Sequence, residues 1–164
     1  MSNKNVTVVG IGRLGLGLAL LIEKAGFNVC GVDIFPSYVK ALNEKTFKTK
    51  EPEYEDLLKN SKNFNATTDL LEGLNHSDLI FIIVPTPNGG GERFYDHSIL
   101  SNLLLKINKH KVKNKSLIIG CTVMPGYIRD IAKLLVKDCE NTTVNYNPEF
   151  IAQGEIVKGF RNPD

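Results

Sequence analysis

A β-branched run, Val6-Thr7-Val8-Val9, ends at a glycine and passes through Gly10-Ile11-Gly12-Arg13-Leu14-Gly15 into a leucine-rich stretch, Leu16, Leu18, Leu20, Leu21 and Ile22. A strand-like run, a glycine-rich turn and a long apolar segment in that order read as strand, tight turn and buried helix. Each glycine has a physical task in such a turn. The first permits the sharp bend, the second lets a ligand approach the backbone, and the third allows helix and strand to pack closely. Gly26 is placed to stop the helix, and Asn28-Val29-Cys30-Gly31-Val32-Asp33 reads as a second strand. One βαβ unit is therefore complete by Asp33.

The rest of the chain continues the alternation. Pro36 opens a helix through Val39, Leu42 and Asn43, and Pro52 another through Tyr54, Leu57 and Leu58, with a lysine-rich loop from Glu44 to Glu51 between them. Phe64 to Thr68 is a short strand and Asp69 to Leu74 a brief helix. Leu79-Ile80-Phe81-Ile82-Ile83-Val84 is continuously apolar, the pattern of a central parallel strand covered on both faces. Pro85 to Asp96 is a loop, and Asp96 can cap a helix carrying Ile99, Leu100, Leu103, Leu104 and Ile107. Ser116 to Gly120 is a strand, Tyr127 to Val136 a helix, and Thr143 to Tyr146 a last short strand. The expected fold is a single α/β domain over residues 1–164, a doubly wound, mainly parallel sheet with helices on both faces, of Rossmann type.

Composition narrows the function classes. The 164 residues are 42% hydrophobic and 23% charged, which suits one globular domain. A net charge of +2, with lysines scattered among carboxylates, excludes a nucleic-acid surface. Cys30, Cys121 and Cys139 are odd in number and lack metal-ligand spacing, which fits reduced thiols and a cytoplasmic location. The start resembles no secretory signal, and the longest apolar run is far too short to span a bilayer, so no membrane role is expected.

Within this fold the glycine turn is a site for a dinucleotide. The helix that opens there aims its N–H groups and positive dipole end at phosphates, and Asp33 follows at roughly the 20-residue distance of a ribose ligand. A carboxylate at the end of the second strand accepts hydrogen bonds from ribose hydroxyls and repels a 2′-phosphate, and no arginine lies in Ile34 to Val39. NAD is the expected cofactor, rather than NADP. The alternative is that the glycines shape a strand–helix turn with no ligand and that Asp33 caps the next helix.

Three further stretches each follow an expected strand, on the edge where open parallel sheets bind ligands: Val84-Pro85-Thr86-Pro87, Cys121-Thr122-Val123-Met124-Pro125-Gly126 and Asn147-Pro148-Glu149-Phe150. With the glycine turn and Asn162-Pro163-Asp164 they resemble, in order and over nearly the whole chain, the N-terminal domain of the UDP-glucose/GDP-mannose dehydrogenase family. Such enzymes oxidise the C6 alcohol of a nucleotide sugar to a uronic acid with two NAD molecules, through a thioester on a cysteine. The resemblance implies that Gly10, Ile11, Gly12, Arg13, Leu14, Gly15 and Asp33 hold the cofactor, that Val84, Pro85 and Thr86 line it, and that Thr122 lies near the nicotinamide. It matches Glu149 to the family's catalytic glutamate, acting with Thr122 to position or activate a water, a task suited to a carboxylate whose pKa a cleft can raise. Read from the residues alone, Thr122 caps the following helix and Glu149 is a helix-start carboxylate.

Departures from the family pattern limit what carries over. Gly120-Cys121 stand where the family often has Lys-Ser, Met124 lies before the proline, and Arg13 replaces a tyrosine, either near the pyrophosphate or simply solvated. Gln153 replaces a glutamate and can bond a cofactor amide without exchanging a proton. The loop Glu44 to Glu51 lacks a glycine common in the family. Cys121 reads as a packed strand-end residue, not the nucleophile, which the family carries in a later domain with a lysine and most sugar contacts. The expectation is an NAD-binding chain that does not turn over nucleotide sugar alone, with a nucleotide-sugar substrate and a homo-oligomer among its partners. The rivals are the cofactor domain of a β-hydroxyacid dehydrogenase and a stand-alone NAD-binding regulatory module.

Overall fold

Alternating apolar residues and glycine or proline punctuation become a regular βα succession in the computed structural model, which describes residues 4–90, 94–152 and 154–162. The elements are β1 (Asn5–Val9), α1 (Arg13–Lys24), β2 (Asn28–Val32), α2 (Pro36–Asn43), α3 (Tyr54–Asn60), β3 (Phe64–Thr67), α4 (Leu70–His76) and β4 (Leu79–Ile82). Then follow α5 (Ser98–Lys109), β5 (Ser116–Ile119), a π-helical turn (Tyr127–Ala132) continued by α6 (Lys133–Leu135), β6 (Thr143–Tyr146) and α7 (Ile156–Arg161). Pro36 occupies the first turn of α2, where its missing N–H costs nothing. Asp69 caps α4 by accepting from Leu71 N at 2.8 Å. Ahead of α5, Asp96 accepts from Ser98 N at 2.8 Å, as its position suggests.

All strand pairs are parallel and the order is β3-β2-β1-β4-β5-β6. The chain winds outward from β1 to β3, returns to β4 beside β1, and winds outward again. That reversal is the topological switch point, where crossover handedness opens a crevice at the strand ends. The two halves of the winding place their helices on opposite faces. Val9, Val32, Ile80, Ile82, Leu117, Ile119 and Val144 bury against α4, α5 and the Tyr127–Leu135 segment. Val8, Val29 and Ala66, one pleat over, bury against α1, α2, α3 and α7.

Three features depart from the expectations. The apolar strand β4 is fully buried on one face only: Ile80 and Ile82 are inaccessible, whereas Leu79 and Phe81 are half-buried. They line an open apolar groove with Leu18, Leu21, Ile22, Phe27 and Phe160, because the helices on that side gather over β1 to β3. The segment after Gly126 starts with π-helical winding rather than as an α-helix. Beyond β6, Ile156–Arg161 forms a helix that no sequence expectation covered, with Ile156 and Val157 buried in the α1 layer.

No helix among the described residues is long and apolar enough to cross a membrane.

Candidate cofactor site

The register brings every exit loop to one edge. Val9 pairs with Val32 and Ile82, Ile82 with Ile119, and Ile119 with Tyr146, so Gly10, Asp33, Ile83, Gly120 and Asn147 leave the sheet side by side. One further ladder bond secures each: Gly10 N to Val32 O at 2.8 Å, Asp33 N to Thr67 O at 3.1 Å, Ile83 N to Val9 O at 2.8 Å, Gly120 N to Ile82 O at 2.9 Å and Asn147 N to Ile119 O at 2.9 Å.

At the switch point the three glycines differ in the space around them. Gly10 has φ +87°, and a Cβ there would lie 2.2 Å from the Ile83 carbonyl oxygen and 3.1 Å from Val84 Cγ1. A Cβ on Gly15 would lie 2.0 Å from the Gly10 carbonyl oxygen, so helix and strand touch backbone to backbone. Around Gly12, by contrast, a Cβ would meet nothing within 4 Å. Two glycines thus close the turn and the middle one leaves a backbone surface open to a ligand. Gly12 is the N-cap of α1 and provides no side-chain cap, and the first turn carries no carboxylate. That end of the helix suits an anion by its dipole. Arg13 is exposed at the first helical position, Leu14 is half-buried against the α1 layer and Ile11 is fully buried.

The turn is held from below by two tyrosines that sequence reading missed. Tyr38 on α2 donates its hydroxyl to Ile11 O at 2.7 Å, and Tyr54 on α3 donates to Arg13 O at 2.6 Å. Burial pushes both phenols well above the usual range, with the Asp33 charge adding to the effect on Tyr38 and Glu51 to that on Tyr54. They remain permanent donors. Nothing in their spacing could reveal this, since Tyr54 lies 41 residues from its acceptor.

Asp33 is half-buried, and its Oδ1 accepts a long bond, 3.3 Å, from Phe35 N. Its partner is thus the N-cap residue of α2 rather than the helix's first-turn N–H groups, and α2 has no side-chain cap. Val84 and Thr86 are half-buried and Pro85 exposed in the loop leaving β4.

On the adjacent strands, Thr122 is exposed in the loop leaving β5. The expected alternative for it, a helix cap, is not what the structure shows, because the π-helical turn begins from Gly126 with no side-chain cap. Cys121 is buried at 7% exposure, and burial raises its thiol pKa, with a backbone hydrogen bond at Val84 working against the shift. Glu149 is half-buried and accepts from Asn147 Nδ2 at 2.8 Å. It stands in non-helical chain well before α7, so it starts no helix. Desolvation raises its carboxyl pKa. Gln153 lies outside the described residues. Its neighbour Gly154 donates to both carboxylate oxygens of Glu51, at 2.9 and 3.0 Å, and Arg161 on α7 pairs with Glu53 at 2.8 Å. The loop before α3 thereby clasps the segment that follows Glu149.

The model of the UDP-glucose/GDP-mannose dehydrogenase family, NAD binding domain, matches residues 4–164. The chain belongs to this family. Its domain is the family's NAD-binding domain, and the open backbone at Gly12 beside an uncapped helix end fits that cofactor. Relatives include an uncharacterized protein of Methanocaldococcus jannaschii, 37% identical over 98% of this chain and 18% of its own length. Another is the UDP-N-acetyl-D-mannosamine dehydrogenase of the same organism, 34% identical over 94% of this chain and 36% of its own length. In fold, the chain is similar to GDP-mannose dehydrogenase from Pseudomonas aeruginosa, crystallised as a ternary complex, with a TM-score of 0.87 at 24% identity over 96% of this chain and 39% of that one. The chain therefore spans well under half the length of the relatives it matches.

Among the described residues no group of histidine, cysteine or carboxylate side chains could hold a metal ion.

Proposed function

We propose that this chain is the cofactor half of a nucleotide-sugar 6-dehydrogenase. The observation that carries the reading is the steric contrast within the glycine turn, closed at Gly10 and Gly15 and open at Gly12, next to Asp33. Gly10 to Gly15 cradle the pyrophosphate, Asp33 accepts from the adenosine ribose, and Val84, Pro85 and Thr86 line the cofactor across the switch point. Bound NAD supplies the hydride acceptor. Oxidation of a C6 alcohol to a carboxylate by such enzymes passes two hydrides to two NAD molecules and takes its second oxygen from water.

Thr122 and Glu149 leave adjacent strands at the same edge, and in this reading they meet that water beside the nicotinamide. A carboxyl whose pKa desolvation has raised holds a proton more readily than an ordinary one, which suits it to proton exchange. Thiolate chemistry falls to a residue outside this chain, because Cys30, Cys121 and Cys139 are all buried and burial pushes each thiol up, Cys30 to about 11. The substrate class is a UDP- or GDP-linked hexose, in keeping with relatives named for UDP-N-acetyl-D-mannosamine and GDP-mannose.

Calorimetric titration tests the cofactor part. NAD binds, NADP binds much more weakly, and Asp33→Ala weakens NAD by about tenfold or more while narrowing the gap to NADP. Mixing with a separately produced C-terminal domain tests the enzyme part. Rescue of NADH production from a nucleotide sugar supports it, tight NAD binding without rescue identifies a binding module, and NADH production by this chain alone overturns the division of labour.

A further inference from the structure

The loop that carries Thr122 is held by a side chain with no part in the proposed chemistry. The backbone N–H of Met124, two positions after Thr122, donates to Nε2 of His97 at 3.2 Å. His97 is the N-cap of α5, at the end of the loop leaving β4, so this bond ties the exit loops of two neighbouring strands together. The imidazole also packs on the Tyr127 ring, with centroids 4.4 Å apart and planes at 47°. Tyr127 is fixed in turn, its hydroxyl 2.8 Å from Ser101 Oγ on α5. An amide N–H can only donate, so Nε2 must offer its lone pair and the ring proton sits on Nδ1. A second proton would set N–H against N–H and break the bond.

From these contacts we infer that neutral His97 is a positioning residue that fixes the 121–126 loop for cofactor binding, and that protonating it releases the loop and weakens NAD. The inference rests on the proposed place of Thr122 beside the nicotinamide. Among the described residues the charged group facing the ring is Asp96, which favours the imidazolium but is already engaged by Ser98 N and Oγ. From the other side come Tyr127 and, next to it, Cys121, both kept neutral because burial raises them. Burial of the imidazole outweighs Asp96 and lowers its pKa below the ordinary histidine value, so the neutral ring prevails at neutral pH.

The test is calorimetric titration with NAD at about pH 8 and about pH 5, the lower point set well below the ordinary histidine value because burial lowers that of His97. The unmodified chain loses about threefold to tenfold in affinity at the lower pH, the worth of one neutral hydrogen bond. His97→Gln places an amide oxygen in reach of Met124 N–H and does not titrate, so it holds the high-pH affinity at both values. His97→Ala binds weakly at both. The protection of the Met124 amide against deuterium exchange, its rate relative to the intrinsic rate at the same pH and followed without NAD, falls at the lower pH in the unmodified chain and does not fall in His97→Gln. Equal affinity of the unmodified chain at both pH values overturns the inference. So does a His97→Gln variant that keeps the full pH dependence, which would assign it to a group other than His97. Absence of NAD binding at both values overturns the cofactor role together with the proposed function, whereas Met124 exchange indifferent to His97 protonation overturns the His97 contact alone.

Discussion

On the β1 side of the switch point the glycine turn is fixed by backbone contact and by two tyrosine hydroxyls. On the β4 to β6 side the corresponding loops present exposed or half-exposed side chains. Gly10 and Gly15 leave no room for a Cβ, and the hydroxyls of Tyr38 and Tyr54 hold the carbonyls of Ile11 and Arg13. Thr122 and Glu149 stand instead in loops that side chains help to hold, Met124 N–H donating to His97 in one case and Asn147 Nδ2 to Glu149 in the other. The contrast also runs through one face of the sheet, since Val8, Val29 and Ala66 on β1 to β3 are buried under helices while Leu79 and Phe81 on β4 line an open groove. The contrast suits the proposed roles: a pyrophosphate would read N–H positions directly and so needs a fixed backbone, whereas groups proposed to handle water and protons need access and a tunable environment.

The sharpest way to break that contrast is Gly15→Ala. A methyl 2.0 Å from the Gly10 carbonyl oxygen has no flexible neighbour to displace, so chemical denaturation should show a loss of about 3 kcal/mol and calorimetry no NAD binding. Tyr54→Phe removes one donor from a buried position while keeping the ring. The expected loss is about 1 kcal/mol of stability with a modest fall in NAD affinity, both measurable on the same samples.

On the other half the effects shrink. Thr122→Ala should leave the denaturation midpoint within about 0.5 kcal/mol of the unmodified chain, because the side chain is exposed. A midpoint shift comparable to that of Tyr54→Phe would erase the distinction between the halves. The smallest effect is a slope with pH. Glu149 has a raised carboxyl pKa in the folded chain, so the native state binds more protons than the unfolded state between the ordinary glutamate value of 4.5 and the raised one. Its contribution to stability is therefore present below the ordinary value and is lost as pH rises through the raised one. Glu149→Gln should flatten that part of the stability profile in thermal scans across acidic pH.

Much of this molecule was legible along the chain, for reasons particular to each segment. β1, β2 and β6 were marked by β-branched residues, α2 by Pro36, α4 by the cap Asp69, and the end of α1 by Gly26, whose φ is +96°. These are local signals, and each acts within a few residues of itself. α7 escaped because a short helix with one apolar face has little local preference, and it owes its place to Ile156 and Val157 packing on α1. The half-covered face of β4 escaped for the opposite reason, because a run of apolar residues says how much can be buried and not which helices come to bury it.

The glycine turn, Asp33 and the alternation of strands and helices were determined by the sequence itself, because backbone freedom, charge and apolar period are properties of residues and their near neighbours. Only the tertiary structure decided that Tyr38 and Tyr54 should carry that turn, that Glu51 should hold Gly154 across 103 residues of chain, and that His97 should reach Met124. Those bonds join elements that the sheet order makes neighbours. A hydroxyl, a carboxylate or an imidazole has no preferred partner until the packed sheet has set the distance.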